Sequence, residues 1–484
     1  MVMTKVLFND DCKTKLIEGV NLVTDAVQVT YGPNASNVCI KTPSSVKITK
    51  DGATTCKAVT HDDPYVQMGI DLVRDISVKT ASNVGDGSST VCILTRAIVE
   101  KFKNYKNPIQ LKEELQRECS IVKKELNKFK IVSTTTEDFN KVATLAANGD
   151  TTIGGVIATA FEKAGKEGIV QFTESEDVND RVEVSDGFRI DSGYASPYFV
   201  NTPKGECILE DVLVHISDTK MEEVKEVTAI AEKALSMKKS LLLIAPGFDS
   251  EITVFLSSNL NLLKSCTVLS PNYRSYRTTL IEDIRALLGE SSSCKKVTIS
   301  RDHTTFTGYD SNEDLVNSKV ENLREILKEN SLSEIEMDFH KKRLANFTAS
   351  IATIYVGGFS KVERGERYDR FEDAILATRA AIESGLLPGG GVALYEAAHN
   401  PEIKFLFDVL VTPFFLLNKE NYRCDTPIKT WEGKNLKTGD IGNLYDMGIV
   451  EPYLVVVSAL ENAVSMGGSI LTCECAILNN EIYE

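Results

Sequence analysis

The sequence predicts a multi-domain protein of α and α/β type, mainly helical at first and α/β further along. Three observations carry that reading. The chain has 484 residues, enough for about three domains of ordinary size. Apolar residues recur three or four positions apart through most of residues 1 to 132, as on the buried face of helices. From Gly187 onward helical and strand periods alternate, the order expected of an α/β unit with a parallel sheet.

Within the helical part, Leu16, Val20, Val23 and Val27 share one face of a helix over 13–29, which stops at Tyr31-Gly32-Pro33. Two short β-like runs follow, Val38 to Ile40 and Val46 to Thr49, and end at the turn residues Lys50-Asp51-Gly52. Helical spacing resumes at Val66, Ile70, Val73 and Ile76, and again at Leu111, Leu115, Cys119, Val122 and Leu126. Ser133 to Thr136 is a hydroxyl cluster before Glu and Asp, which suits a boundary and a new helix start. Beyond Gly187, Tyr194, Pro197, Tyr198 and Phe199 crowd into a loop; Val224, Val227 and Ala231 read as helix, Leu241 to Ala245 as strand, and Ile252, Phe255, Leu256 and Leu263 as helix. Charged helical sequence from Val320 to Leu344 precedes a strand over 351–356. Phe371-Glu372-Asp373-Ala374 then opens a helix with Ile375, Ile382 and Leu386 periodic, ended by Pro388-Gly389-Gly390-Gly391 before Val392-Ala393-Leu394 starts another.

Composition narrows the function classes. Lys and Arg number 54 against 69 Asp and Glu, and a formal charge of −15 argues against a nucleic-acid or anionic-membrane surface. The first residues show no basic segment followed by an apolar core, so a cytoplasmic location is expected. Phe405 to Leu417 is strongly apolar but interrupted by Asp408 and Pro413 and too short to span a bilayer, so a buried helix is expected there. The eleven cysteines are scattered apart from Cys473-x-Cys475. One such pair supplies half the ligands of a usual zinc site, and the alternation Cys473, Cys475, Ile477 reads more simply as one buried strand face.

Two stretches have the pattern of a ligand site. In Gly85-Asp86-Gly87-Ser88-Ser89-Thr90, two glycines let the backbone turn tightly and approach a ligand, and three hydroxyl residues open a helix whose apolar face is Val91, Leu94, Ile98 and Phe102. Free N–H groups and the positive dipole end at a helix start favour phosphate, and an Asp among them is tolerated when Mg²⁺ lies between carboxylate and phosphate. The competing reading is a glycine turn with an Asp cap. The triple glycine 389–391 is costly in backbone entropy, so either packing or a ligand requires a bare backbone there.

Taken together with Thr30-Tyr31-Gly32-Pro33, Thr49-Lys50-Asp51-Gly52, Ser192 to Phe199, Asp373-Ala374 with Ala377 to Ala381, Gly389 to Leu394, and Asp446-Met447-Gly448-Ile449, these motifs resemble a group I chaperonin of the GroEL type, shortened and divergent. The resemblance runs nearly end to end. It implies the chaperonin fold: a mainly helical equatorial ATPase domain (1–132 and 384–484), a small intermediate domain (133–186 and 352–383) and an inserted α/β apical domain (187–351). It implies a homo-oligomeric ring that hydrolyses ATP and binds non-native client proteins, a GroES-like lid co-chaperonin, and ATP, Mg²⁺ and K⁺ as cofactors, with no nucleic-acid or membrane partner. Carried over by position, Asp86 binds Mg²⁺; Thr30, Tyr31, Gly32, Pro33, Lys50, Gly85, Gly87, Ser88, Ser89 and Thr90 surround the phosphates. Gly389 and Gly390 lie against the nucleotide, Asn435 and Glu451 meet its adenosine end, and Asp51 and Asp373 handle the attacking water. Tyr194, Tyr198, Phe199, Ile252 and Leu256 would present an apolar face to clients, alongside Thr228, Ala231 and Ser257, which are polar or small. The competing reading of Phe199 and Leu256 is that they are core.

The chain also departs from the family pattern. Glu451 stands where an Asp is usual, and Ala349-Ser350 replaces paired hinge glycines while Gly187 is kept. A hairpin is missing between Gly289 and Lys295, Asn272 to Arg277 replaces a glycine-rich loop, the segment Leu394 to Trp431 is shortened, and a Gly-Met-rich tail is absent. An ATP-binding ring scaffold without general folding activity is the alternative function. An unrelated phosphotransferase is disfavoured by the lack of a GxxxxGK[ST] loop.

Overall fold

A computed structural model of the chain describes residues 5–41, 46–133, 135–165, 168–175, 177–202, 205–270, 277–289, 291–309, 311–328, 334–348, 350–418 and 431–478. Ala349, the loop 271–276 and the C-terminal end lie outside the described residues. Two compact units emerge: the first comprises residues 1–159, 174–179 and 356–484, the second 160–173 and 180–355.

The first unit starts with β1 (Lys5–Phe8), α1 (Asn9–Gln28), β2 (Val38–Lys41), β3 (Val46–Thr49), α2 (Gly52–Ala58), α3 (Pro64–Val84), α4 (Ser88–Phe102), α5 (Pro108–Phe129), α6 (Thr136–Ala146) and α7 (Thr151–Ala164), the last of which carries the chain into the second unit. There follow β4 (Ile169–Glu174), β5 (Arg181–Ile190), a 3-10 turn (Pro197–Phe199), β6 (Cys207–Ile216), α8 (Val224–Ser236), β7 (Ser240–Ala245), α9 (Ser250–Ser258), β8 (Ser265–Leu269), α10 (Arg277–Leu288), β9 (Ser293–Ile299), β10 (Thr304–Tyr309), α11 (Glu313–Ile326), α12 (Glu334–Thr348) and β11 (Ser350–Val356). The chain returns to the first unit with α13 (Lys361–Ser384), β12 (Leu386–Pro388), α14 (Val392–Ala398), α15 (Phe407–Leu417), β13 (Glu432–Lys434), β14 (Ile441–Asn443), β15 (Val450–Pro452), α16 (Tyr453–Leu471) and β16 (Cys475–Leu478).

The expected apolar stripes do form the core of the first unit: Leu16, Val20, Val23 and Val27 of α1, Val66, Ile70 and Val73 of α3, and Leu111, Leu115 and Val122 of α5 are buried together. Helices α1 and α3 approach until backbone meets backbone, because a Cβ on Gly19 would fall 2.7 Å from Ile70 N and one on Gly69 would strike Leu16 O. Among the described residues α16 is the one helix long and apolar enough to cross a membrane, yet it packs against α3, α4 and α5 and most of it is buried. It is a core helix, as is α15, where Pro413 sits inside the helix.

Four expectations are corrected. The sheet of the second unit is mixed: its order is β4-β11-β5-β10-β9-β6-β7-β8, with β6-β7-β8 parallel and β11-β5-β10-β9-β6 antiparallel. Helices α8 and α9 provide the crossovers that parallel neighbours require, whereas β9 and β10 are joined by a tight turn and pair antiparallel. Helix α13 begins at Lys361, ten residues before Phe371, so Asp373 lies inside a helix and does not open one. Gly385, at φ 88°, ends α13, and β12 separates it from the triple glycine. In β16 the alternation is inverted: Ala476 is buried, Ile477 is exposed, and Cys473 and Cys475 are half-buried.

Glu118 of α5 fixes the chain that enters α15. It is fully buried, and its carboxylate accepts from the N–H groups of Lys404 (2.9 Å), Phe405 (3.0 Å) and Leu406 (2.9 Å). Removing it leaves three backbone donors without their acceptor, a buried one costing about 1–3 kcal/mol if left unmatched. Glu118→Ala should therefore lower stability by about 3 kcal/mol or more, and Glu118→Gln, which keeps one acceptor oxygen, by less. Chemical denaturation followed by fluorescence of the single tryptophan, Trp431, checks this, since its Nε1 donates to Phe129 O at the end of α5 (3.1 Å). An unchanged midpoint for Glu118→Ala would remove Glu118 from this role.

Candidate functional site

The site assembles from three loops that each end in a helix start. Gly85, at φ 75°, closes α3 by donating to Ala81 O (2.7 Å), and Gly87, at φ 86°, begins α4. No side chain caps α4, so the first-turn amides that a helix leaves unpaired remain for a ligand. Ser88 is buried and its carbonyl accepts from Ser77 Oγ (3.2 Å), while Ser89 and Thr90 are half-buried.

The second loop is Lys50-Asp51-Gly52. Asp51 caps α2, accepting from Ala53 N (3.2 Å) and Thr54 N (2.6 Å), so its turn-like sequence context has a real local role and also fixes its orientation. Gly52 lies directly against the hydroxyls of α4: a Cβ there would collide with Ser89 Oγ and sit 2.9 Å from Ser88 Oγ. Lys50 is exposed.

Gly85 makes the decisive contact. A Cβ on it would collide with the carbonyl oxygen of Asp373 and fall 2.6 Å from Leu376 Cβ and 2.7 Å from Ala377 N. The bare backbone of the first loop is thus pressed onto the turn of α13 that carries Asp373.

Packing and openness divide the triple glycine. Gly389 lies against the backbone of Ile449 and Gly391 against that of Phe414, whereas a Cβ on Gly390 would meet open space. Gly390 N–H donates to Glu451 Oε1 (3.1 Å), and β12 pairs with β15 so that Leu387 faces Glu451. A small pocket beside them is lined by Tyr31, Thr90, Gly391, Pro413, Glu451 and Val455. The apolar wall from α15 and α16 was not singled out in the sequence, where a wall residue and a core residue look alike.

Three acidic groups of the site hold a proton more tightly than usual, burial being the first cause in each. Burial, then the charges of Asp51 and Asp86, push Asp373 up to about 8. Asp86 is raised by dehydration and by Asp51, and lowered by the Gly87 N–H that it accepts (2.6 Å); its side chain still meets solvent, so the dehydration is partial. Burial and Asp86 push Glu451 up to about 7, against the Gly390 N–H. Tyr31 is raised by burial and by the Glu451 charge. Among the described residues no three His, Cys, Asp or Glu side chains converge into a ready metal cage.

The remaining residues sit as follows. Thr30 is buried and its hydroxyl closes α1 by donating to Val27 O (2.7 Å). Gly32, at φ 86°, lies against Leu417, and Pro33 is exposed. Asn435 heads the turn between β13 and β14, where its Oδ1 accepts from Lys437 N (3.0 Å); Asn34 reaches the same turn by donating to Leu436 O (3.0 Å). In the second unit the expected client face is only partly a surface. Tyr198 is 73% exposed, Tyr194, Thr228 and Ser257 less so, but Phe199 (1%), Ile252 (0%) and Leu256 (2%) are core, and Ala231 is buried. Ile252 and Leu256 are four apart on α9, so both point down onto the sheet. Exposed Val254 lies between them in sequence and on the outer side.

Gly187, kept where the family has a hinge, is held by packing: a Cβ there would collide with Ile351 Cδ1 and fall 2.8 Å from Phe306 O.

Residues 23–249 match the model of the TCP-1/cpn60 chaperonin family. The whole chain is similar in structure to the chaperonin gp146 from the bacteriophage EL 2 (Pseudomonas aeruginosa), crystallised in the presence of ATP-BeFx. In crystal form II the TM-score is 0.77 at 21% identity, covering 98% of this chain and 99% of that one. In crystal form I it is 0.72 at 20% identity, with the same coverage. The chain has the chaperonin fold.

Asp373 gives the site a pH signature. Its folded value of about 8 lies above the usual 3.8, so between those limits the folded chain keeps a proton that the unfolded chain has released. Stability therefore falls as pH rises through that window. Asp373→Asn abolishes the effect, and its melting temperature without nucleotide should gain on the parent from pH 4 to pH 8 and then level. A difference constant with pH would show that Asp373 titrates normally.

Proposed function

We propose that this chain is an ATP-dependent chaperonin: a cytoplasmic homo-oligomeric ring that binds non-native proteins and promotes their folding through ATP-driven conformational change, with equatorial, intermediate and apical domains divided as the resemblance implies. The observation that carries the reading is the seat of the uncapped α4 loop on α13, which gathers Asp51, Asp86 and Asp373 around free amides of one helix start.

The residues suit each part of the reaction. Helix-start amides of α4 and its hydroxyls Ser88, Ser89 and Thr90 bind phosphate oxygens. The pocket of Tyr31, Pro413, Val455 and Glu451 offers apolar walls and one carboxylate, which fits a heterocycle joined to a hydroxylated sugar. Mg²⁺ would fit at Asp86, whose proton affinity is raised by dehydration and then by the Asp51 charge, a cost that a cation would relieve; Mg²⁺ is usually held by one or two carboxylates with phosphates and waters, not by a protein cage. Bound there, it supplies neutralisation of the phosphate charge. Asp51, held by Ala53 N and Thr54 N, orients the attacking water, and Asp373 takes its proton; a base near pKa 7–8 is well matched to neutral pH. Since Asp373 stands on α13, hydrolysis depends on how α13 meets the loop at Gly85.

Exposed apolar side chains support assembly and client binding. Val46 and Ile48 on β3, with Phe8 and Ile477 on the β1-β16 pair, suit burial between copies in a ring, and Tyr198 and Val254 remain for clients and a GroES-like lid. The burial of Phe199, Ile252 and Leu256 favours a second reading, an ATP-binding ring scaffold with little general folding activity. Refolding of a denatured client with and without ATP separates the two.

Asp373→Ala should slow ATP turnover about 100-fold or more while leaving nucleotide affinity nearly unchanged. Equal losses in both would remove Asp373 from the chemistry. Asp86→Ala should instead abolish the Mg²⁺ dependence of ATP binding, measured by titration calorimetry; a retained dependence would make Asp86 a turn residue only. Tyr198→Ser should weaken capture of an unfolded protein and leave the melting temperature unchanged, because an exposed side chain contributes little to folding. A drop of several degrees would place Tyr198 among the structural residues.

A further inference from the structure

Three thiols meet where the first and last described strands pair. Phe8 faces Cys475 across β1 and β16, and Asn9 N donates to Glu474 O (2.8 Å), which brings the first turn of α1 beside the chain leaving α16. Cys12, fully buried on α1, has its Sγ 4.0 Å from Sγ of half-buried Cys473, though 461 positions separate them. Cys473 Sγ also lies 3.3 Å from Cys475 O. Among the described residues these sulfurs belong to no group of three or more metal-ligating side chains, and the nucleotide reading makes no use of them.

We propose that Cys12 and Cys473 form a reversible disulfide when the protein meets hydrogen peroxide, a modification that ties the beginning of the first unit to its end. Bonded sulfurs lie about 2 Å apart, so the pair needs an approach of about 2 Å, within reach of χ1 rotation where Cys473 sits between α16 and β16. Access sets the order of events. Solvent reaches Cys473 but not Cys12, and burial, then the neighbouring sulfurs, push the Cys12 thiol up to about 11, which keeps it protonated. Cys473 is oxidised first: its sulfur takes one oxygen from peroxide to give a sulfenic acid and water. The sulfur of Cys12 then attacks that of Cys473, losing its proton as hydroxide departs, and the second water completes the balance of two thiols and one peroxide to one disulfide and two waters. The buried thiols of Cys56, Cys92, Cys207 and Cys266 lack a solvent-facing partner that peroxide can reach.

The full chain would be treated with hydrogen peroxide, unfolded in an alkylating reagent, digested without reductant and mapped by mass spectrometry. A Cys12 peptide joined to a Cys473 peptide, about 2 Da lighter than the two thiols and separated again by dithiothreitol, is expected. The same link should form in Cys475→Ser and be lost in Cys473→Ser, whose Cys12 stays alkylatable. The oxidised parent should also melt at a higher temperature than the reduced one. Sulfinic acid at Cys473 with Cys12 fully alkylated, a Cys473–Cys475 link, or unreacted Cys473 would each overturn the proposal.

Discussion

Everything around the site depends on the missing side chain of Gly85. Gly85 rests on the turn of α13 formed by the Asp373 carbonyl, Leu376 Cβ and the Ala377 nitrogen, so the thickness of one methyl group sets the distance between the α4 loop and α13. Even Ala would require the helix or the loop to retreat, and its φ of 75° disfavours any side chain. Because interiors deform little, such a retreat would be shared by the neighbours of both elements. The same device operates twice more, with Gly52 against the α4 hydroxyls and Gly391 against Phe414. Three bare backbones therefore hold the walls of one cleft in register.

The close approach has an electrostatic consequence. Bringing Asp373 to the loop buries it near Asp51 and Asp86, and burial together with their charges makes Asp373 harder to ionise. On the proposed reading, a cation arriving at such a site would relieve this cost, and its binding would be linked to the protonation of Asp373 and Glu451. The carboxylate of Asp51 is fixed by the two amides at the start of α2, independently of any ligand.

Much of this was legible from residue patterns, and the failures have physical causes. Helical stripes, the α4 loop and the turn at Asp51 were readable because each follows from local spacing and local chemistry. The start of α13 was not: Lys361 to Arg370 is almost entirely charged or polar, so no apolar period announces a helix, which rests instead on its Ser360 cap, with Ser360 Oγ accepting from Glu363 N (3.1 Å), and on the ion pair of Arg370 with Asp150 (3.1 Å). The client face failed in the opposite sense. Phe199, Ile252 and Leu256 are apolar whether they face a client or the sheet, and only the fold distinguishes the two. The sheet was read as parallel because β6, β7 and β8 alternate with helices, while its antiparallel half is made of strands distant in sequence, β5, β10 and β11, whose pairing no local pattern encodes.

The departure at Glu451 now has a structural meaning. An Asp on β15 would be one methylene short, whereas Glu451 reaches the N–H of Gly390, the one member of the triple glycine with open space before it. That bond ties the middle of the loop to a strand whose register with β12 is fixed by backbone pairing. A carboxyl group pushed to about 7 is divided between two states near neutral pH: ionised it accepts from Gly390, protonated it can donate to a ligand oxygen. A sugar hydroxyl arriving beside it offers the ionised form a second donor, which lowers its proton affinity and strengthens its hold on Gly390 at the same time. On the proposed reading, ligand binding and loop order would therefore reinforce one another through a single carboxylate, which its extra methylene lets reach Gly390.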